Sequence, residues 1–214
     1  MKADRKYEVV LFGATGFVGR LTAQYLASRH GAELRWALAG RDPRKLEQLR
    51  AELGQARPDV LIADAGDRAA LDAITRAARV VVTTVGPYML YGRQLVASCA
   101  EHGTDYCDLT GEVTFMAETV RLHHDRAAQS DARIVHACGF DSIPSDLGTL
   151  LVQTAARERH RVPCREVKFL LQKARGGFSG GTFASMLTLM EQASKDRSLR
   201  RMLVDPYSLN PPGS

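Results

Sequence analysis

Residues Tyr7 to Gly19 read Y-E-V-V-L-F-G-A-T-G-F-V-G. Val9 to Phe12 are a short continuous apolar run, the pattern of a strand buried on both faces. Gly13, Gly16 and Gly19 follow at once, and an amphipathic helix to about Arg29 is expected, with Val18, Leu21, Thr22, Tyr25 and Leu26 on one face. Strand, glycine turn and helix in this order form the context in which a glycine pattern binds a dinucleotide. Gly13 permits the tight turn, Gly16 lets a pyrophosphate approach the backbone, and Gly19 lets the helix pack on the strand. The free N–H groups of the turn and helix start, from Gly13, Ala14, Thr15, Gly16, Phe17 and Val18, then face two phosphates. The spacing is G-x-x-G-x-x-G rather than G-x-G-x-x-G, a variant that suits extended short-chain-type reductases.

Downstream the same rhythm repeats. Strands are expected at Leu34–Ala39, Val60–Ala63, Val80–Val85, Asp105–Leu109 and Ala132–Cys138. Between them, helices are expected from Asp42-Pro43 to Leu53, over Arg68–Ala77, Gly92–His102 and Thr114–Ser130. Strands alternating with helices predict an α/β fold, a Rossmann-type doubly wound parallel sheet. Its ligand belongs at the edge where the strand C-termini lie.

At Gly139 the rhythm changes. Asp141 to Asp146 reads as a helix start with an oxygen cap, running on to Pro163. Glu166–Lys173 reads as a strand, Gly176 to Gly181 as a loose glycine loop, Thr182–Ser194 as a helix, and the tail from Asp205-Pro206 to Ser214 as irregular. The predicted organisation is a Rossmann domain over residues 1–139 and the start of a smaller α+β substrate domain over 140–214. One strand and one helix cannot enclose a core of their own. Either a partner subunit completes them, as in a homodimer, or the chain stops partway through the second domain.

The cofactor choice is read after the second strand. An Asp or Glu there holds the ribose of NAD, but this chain has Gly40-Arg41. Arg41, helped by Arg44 or Lys45, offers a cation to a 2′-phosphate, so the expected cofactor is NADP. Asp42 stands before Pro43 as a helix cap. Asp64 follows the third strand, where the adenine would lie. Val85-Gly86-Pro87 follows the fourth, beside the nicotinamide ribose, and Tyr88 or Tyr91 would line the substrate side.

Several chemistries find no support. None of the 6 tyrosines has a lysine four residues on, which argues against the short-chain dehydrogenase acid. Cys99, His102 and Cys107 lack a fourth ligand for zinc, so no metal is expected. Cys138 reads as a buried small thiol rather than a nucleophile. The net charge of +5 is scattered, and no nucleic-acid module is recognisable. No apolar run approaches the roughly 18 residues of a membrane helix, and no secretory signal opens the chain, so the expected location is the cytoplasm, at most peripheral to a membrane.

G-A-T-G-F-V-G at Gly13–Gly19, A-G-R at Ala39–Arg41, V-G-P-Y at Val85–Tyr88 and Tyr91-Gly92 together resemble the saccharopine dehydrogenase-like oxidoreductase family. So do D-L-T-G-E at Asp108–Glu112, G-F-D-S-I-P-S-D-L-G at Gly139–Gly148 and G-G-T at Gly180–Thr182. That family includes bacterial enzymes described as trans-acting enoyl reductases. The resemblance implies an NADP-binding domain followed by a substrate domain that is longer in typical members. It further implies a small-molecule or acyl-thioester substrate, free or borne on a carrier protein, for an NADPH-dependent reductase of C=C, C=O or C=N bonds. Tyr88, Asp141 and Ser142 are the candidate proton donors. The competing reading is a non-catalytic NADPH-binding sensor or scaffold.

Overall fold

The computed structural model describes residues 4–31, 33–173, 180–205 and 207–210. Six parallel strands form one sheet in the order β3-β2-β1-β4-β5-β6. They are β1 (Tyr7–Phe12), β2 (Trp36–Gly40), β3 (Asp59–Ile62), β4 (Ala78–Thr83), β5 (Asp105–Cys107) and β6 (Ile134–Val135). The order reverses between β1 and β4, which places the topological switch point, and its crevice, above their C-terminal ends. The helices are α1 (Phe17–His30), α2 (Pro43–Glu52), α3 (Arg68–Ala77), α4 (Tyr88–Tyr91), α5 (Arg93–His102), α6 (Val113–Ser130), α7 (Ile143–His160), α8 (Gly180–Lys195) and α9 (Arg197–Val204). None of the described helices is long and apolar enough to cross a membrane.

Side-chain alternation splits β1 between two cores. Val10 and Phe12 join Leu71, Ile74, Leu95, Val96 and Phe115, from α3, α5 and α6, on one face of the sheet. Leu11 joins Leu38, Leu46 and Leu49 with Ala23 of α1 on the other. Both faces are therefore covered, as a parallel sheet requires.

The face expected for α1 is corrected. Gly19 and Ala23 are its buried residues, whereas Leu21 and Tyr25 are 52% and 58% exposed. Two small residues one turn apart bring the helix axis close to the strand, and the larger side chains fan outward. Strand ends are corrected too. β4 stops at Thr83 because the Val85 N–H turns back to the Thr83 hydroxyl at 3.3 Å. β6 covers only Ile134–Val135, since Ala137 takes a φ of +57° and gives its N–H to Asp108. The strand expected at Glu166–Lys173 is not formed. Among the described residues that segment has no ladder partner, and Phe169, Leu170 and Leu171 are exposed. Gly176 and Gly177 of the expected glycine loop lie outside the described residues.

Beyond the sheet, α7 buries none of its residues. α9, where no helix was expected from the sequence, buries Leu199 and contacts α6. Its signal was Asp196, whose carboxylate accepts the Leu199 N–H at 3.3 Å.

Arg5 closes the opposite, N-terminal end of the sheet. Its guanidinium donates to the carbonyl oxygens of Thr75, Ala78 and His102 and to the Thr104 hydroxyl. Arg5→Ala leaves several of these acceptors without a donor. A loss of about 1–3 kcal/mol is expected, read by thermal melting at roughly 2–4 °C per kcal/mol. An unchanged melting temperature would contradict this role.

Candidate functional site

The glycine turn opens directly onto the crevice. Gly13 has a φ of +85°, and its N–H donates to the Ala39 carbonyl of β2 at 2.9 Å. Ala14 is fully buried beneath the turn. Gly16 is the N-cap of α1 in extended backbone and offers no capping side chain, so the first N–H groups of the helix stay free. A Cβ on Gly16 would meet only the Gly13 carbonyl oxygen, at 3.4 Å, so the space above it is open. A Cβ on Gly19 would lie 2.2 Å from that same oxygen. Thr15 and Val18 are half-buried, and Phe17 points outward. This cradle fits a diphosphate: it has open backbone donors, a helix start and no acid in the first turn.

Arg41 follows β2 and is exposed, and among the described residues it forms no ion pair. Asp42 caps α2 as expected, its carboxylate accepting the Lys45 N–H at 3.1 Å. Lys45 Nζ stands 3.9 Å from the other oxygen of Asp42. Arg41, Arg44 and Lys45 therefore place three cations around the end of β2, with one acid already engaged. Asp64, after β3, is exposed and accepts the Gly66 N–H at 2.9 Å. It lines a cavity of about 400 Å³ together with Leu90, Tyr91 and Arg93.

The loop after β4 leans on the glycine turn. The Thr84 hydroxyl donates to the Gly13 carbonyl at 3.1 Å, and a Cβ on Gly13 would strike Val85 Cγ2 at 2.6 Å. Gly86 and Pro87 are joined by a cis peptide. Tyr88 is not brought to the open crevice. It is 5% exposed, its ring packs on Phe115 at 5.8 Å between centroids, and its hydroxyl donates to the Thr83 carbonyl at 3.2 Å. Burial, with Asp108 nearby, pushes the phenol well above its ordinary range. The phenol thus braces the end of β4.

The segment D-L-T-G-E, to which no role was assigned from the sequence, folds the rim between β5 and α6. Asp108 is 2% exposed and receives four donors: the Thr110 N–H (3.0 Å), the Ala137 N–H (3.0 Å), the Tyr106 hydroxyl (2.8 Å) and His136 Nδ1 (2.7 Å). The Thr110 hydroxyl oxygen accepts the Glu112 N–H at 3.1 Å. Glu112 in turn accepts the N–H groups of Tyr88 and Met89, at 2.9 and 2.8 Å. Polar side chains at i, i+2 and i+4 directly after a strand were the available signal, because such residues hydrogen-bond backbone two positions on.

The loop after β6 brings Asp141 and Ser142 to this rim. A Cβ on Gly139 would lie 2.6 Å from Asp141 Oδ1, and one on Gly111 would lie 3.7 Å from Oδ2. The Asp141 carboxylate therefore sits between the two glycines, exposed. Ser142 is the N-cap of α7, but its side chain makes no capping hydrogen bond, contrary to the expected oxygen cap. Its αR backbone explains this, since a capping side chain needs extended backbone to reach the N3 amide. Cys138, expected to be buried, is exposed. Desolvation and neighbouring Asp108 nonetheless raise its thiol pKa, which disfavours a thiolate. Cys99 is fully buried and acts as core packing.

Comparison with known proteins agrees with this geometry. The family model described as the saccharopine dehydrogenase NADP binding domain matches residues 9–135. A Mycobacterium tuberculosis (strain H37Rv) protein provisionally named a trans-acting enoyl reductase is 51% identical over 209 residues, covering 97% of this chain and 50% of that protein. A Mycobacterium ulcerans protein named trans-acting enoyl reductase is 45% identical over 210 residues, again covering 97% of this chain and 50% of the relative. The chain thus spans about half the length of these curated relatives. Saccharopine dehydrogenase from Saccharomyces cerevisiae has the same fold, with a TM-score of 0.56 at 19% identity, over 72% of this chain and 32% of that one.

Proposed function

Because this chain belongs to the saccharopine dehydrogenase NADP-binding domain family, we propose that it is the cofactor-binding part of an NADPH-dependent reductase. Its substrate is an enoyl thioester carried on another protein, in keeping with the names of its relatives. The observation that carries the reading is the pairing of an open glycine cradle with an exposed Arg41 at the end of β2, which forms no ion pair among the described residues.

In this reading the turn from Gly13 to Val18 holds the diphosphate, and Arg41 with Lys45 holds the 2′-phosphate. Asp64 borders the adenine. Val85, Gly86 and Pro87 border the nicotinamide ribose. NADPH supplies the hydride when bound. Asp141 and Ser142, exposed and half-buried on the rim after β6, face the substrate side and are the candidates to hold a proton. Tyr88 is a weaker candidate, since its hydroxyl is committed to a main-chain carbonyl. Residues 1–139 form the NADP-binding domain, and 140–214 contribute to a substrate domain. The exposed leucines of α7 and the apolar run Phe169–Leu171 support that division, because such a face requires a cover.

Titrating the parent and Arg41→Ala with NADPH and NADH tests the cofactor assignment. Loss of a charge-assisted phosphate contact is worth about 1.5–3 kcal/mol. NADPH affinity is therefore expected to fall roughly 10- to 150-fold with NADH unchanged. If both affinities stay as they were, the assignment is wrong. Stopped-flow mixing with acyl thioesters then tests the chemistry. NADPH that binds but is never oxidised would favour a non-catalytic NADPH-binding module.

A further inference from the structure

Glu112 is 4% exposed and carries three donors. Its Oε1 accepts the Tyr88 N–H at 2.9 Å and the Ser185 hydroxyl at 2.7 Å, and Oε2 accepts the Met89 N–H at 2.8 Å. Among the described residues it forms no ion pair, and nearby Arg93 is engaged by Glu118 instead. The charge is held by hydrogen bonds alone, which is a costly arrangement for a cap on a four-residue helix. A neutral acceptor would satisfy two amides equally well. The third donor explains the carboxylate. Ser185 lies on α8, 73 residues along the chain, and a Cβ on Gly86 would come within 3.7 Å of its hydroxyl. The carboxylate thus stands between the loop after β4 and the second region of the chain.

We propose that Glu112 is a positioning residue. It fixes the Val85–Pro87 loop against the nicotinamide half of the cofactor and, through Ser185, ties that loop to α8. This rests on the NADPH reading above. Two immobilised amides at Tyr88 and Met89 set where the preceding Gly86-Pro87 stands. The Ser185 hydroxyl makes that setting depend on α8. Neither the phosphate cradle nor Arg41 donates to Glu112; the cradle meets the loop after β4 at Thr84 and Val85, ahead of the Gly86-Pro87 that Glu112 sets. The link therefore acts on the nicotinamide end of the cofactor and not on its adenosine end.

The test compares NADPH with 2′,5′-ADP, which lacks the nicotinamide half, on the full 214-residue chain. Parent, Glu112→Gln and Ser185→Ala are titrated with each. Both variants are expected to weaken NADPH at least about fivefold, as for a typical coupling between sites, and to leave 2′,5′-ADP within about twofold. The fluorescence change of NADPH on binding should shrink in parallel, since it reports the surroundings of the nicotinamide ring. Glu112→Gln sets an amide N–H against a backbone N–H and can fail to fold. Ser185→Ala then decides, because alanine suits a helix interior. Equal weakening of both ligands, or no weakening of NADPH by Ser185→Ala, overturns the proposal. A parent that binds neither ligand overturns the NADPH reading instead, so the two failures are told apart.

Discussion

Gly19→Ala is expected to abolish tight NADPH binding while the chain keeps its fold at reduced stability. The new Cβ would lie 2.2 Å from the Gly13 carbonyl oxygen and 2.9 Å from Ala14 C. Both are backbone atoms, so no side chain can rotate away to relieve the overlap. Relief requires α1 to lift from the turn, and the lift carries the free N–H groups away from the diphosphate. Overpacking of this kind costs about 1–3 kcal/mol, and a displacement near 1 Å is worth roughly 100-fold in a positioned contact. Gly16→Ala is the companion. Its φ of −72° suits alanine, and its Cβ would meet the turn only at 3.4 Å. It should melt close to the parent yet bind NADPH less well, since the methyl stands where the phosphates approach. Melting curves and NADPH titrations of the two variants separate steric damage to the fold from blockage of the cradle. A Gly19→Ala protein with parental affinity would show that the turn does not hold the cofactor.

Asp108→Ala is expected to be the most destabilising single change at the rim. Removal of the carboxylate strands four donors, from Thr110, Ala137, Tyr106 and His136, in a site with 2% exposure. Breaking a buried charged network of this kind costs about 3–5 kcal/mol, a large share of the 5–15 kcal/mol that typically holds a domain together. The damage should be local first. Ala137 loses the contact that turns the chain out of β6, so the loop bearing Asp141 and Ser142 loses its anchor. Asp108→Asn keeps one acceptor oxygen and should lose less. Denaturant unfolding gives the size of the loss, and amide exchange at Thr110 and Ala137 gives its location. An Asp108→Ala protein within about 1 kcal/mol of the parent, which is the scale of a single ordinary hydrogen bond, would remove the central role given to this carboxylate.

The glycine turn, the helix cap at Asp42 and the helices Arg68–Ala77 and Thr114–Ser130 were legible because each is written locally. A positive φ, an N-cap oxygen and an apolar period are each decided within a few residues. The strand expected at Glu166–Lys173 failed for the opposite reason. Its apolar run is real, but a strand exists only beside another strand, and among the described residues the segment has no ladder partner. The α1 face failed because hydrophobicity was taken as the measure of contact. Gly19 and Ala23 make the contact by being small. α9 was hidden by its charge, since Arg197, Arg200 and Arg201 mask the one stripe that buries Leu199.

The site divides along the same line. The order of the residues by itself determined a strand, glycine turn and helix, a cation at the end of the second strand in place of an acid, and which loops lie along the C-terminal edge of the sheet. These follow from chain direction, turn chemistry and right-handed crossovers. Only the tertiary structure decided that Tyr88 turns inward to brace β4, that Asp108 gathers donors from one strand and two loops, and that Glu112 joins the first amides of α4 to a serine on α8. Those contacts join residues far apart in the chain. A buried carboxylate is stable wherever enough donors converge, and which donors converge is set by how the helices and loops pack around the sheet, a property that no local pattern records.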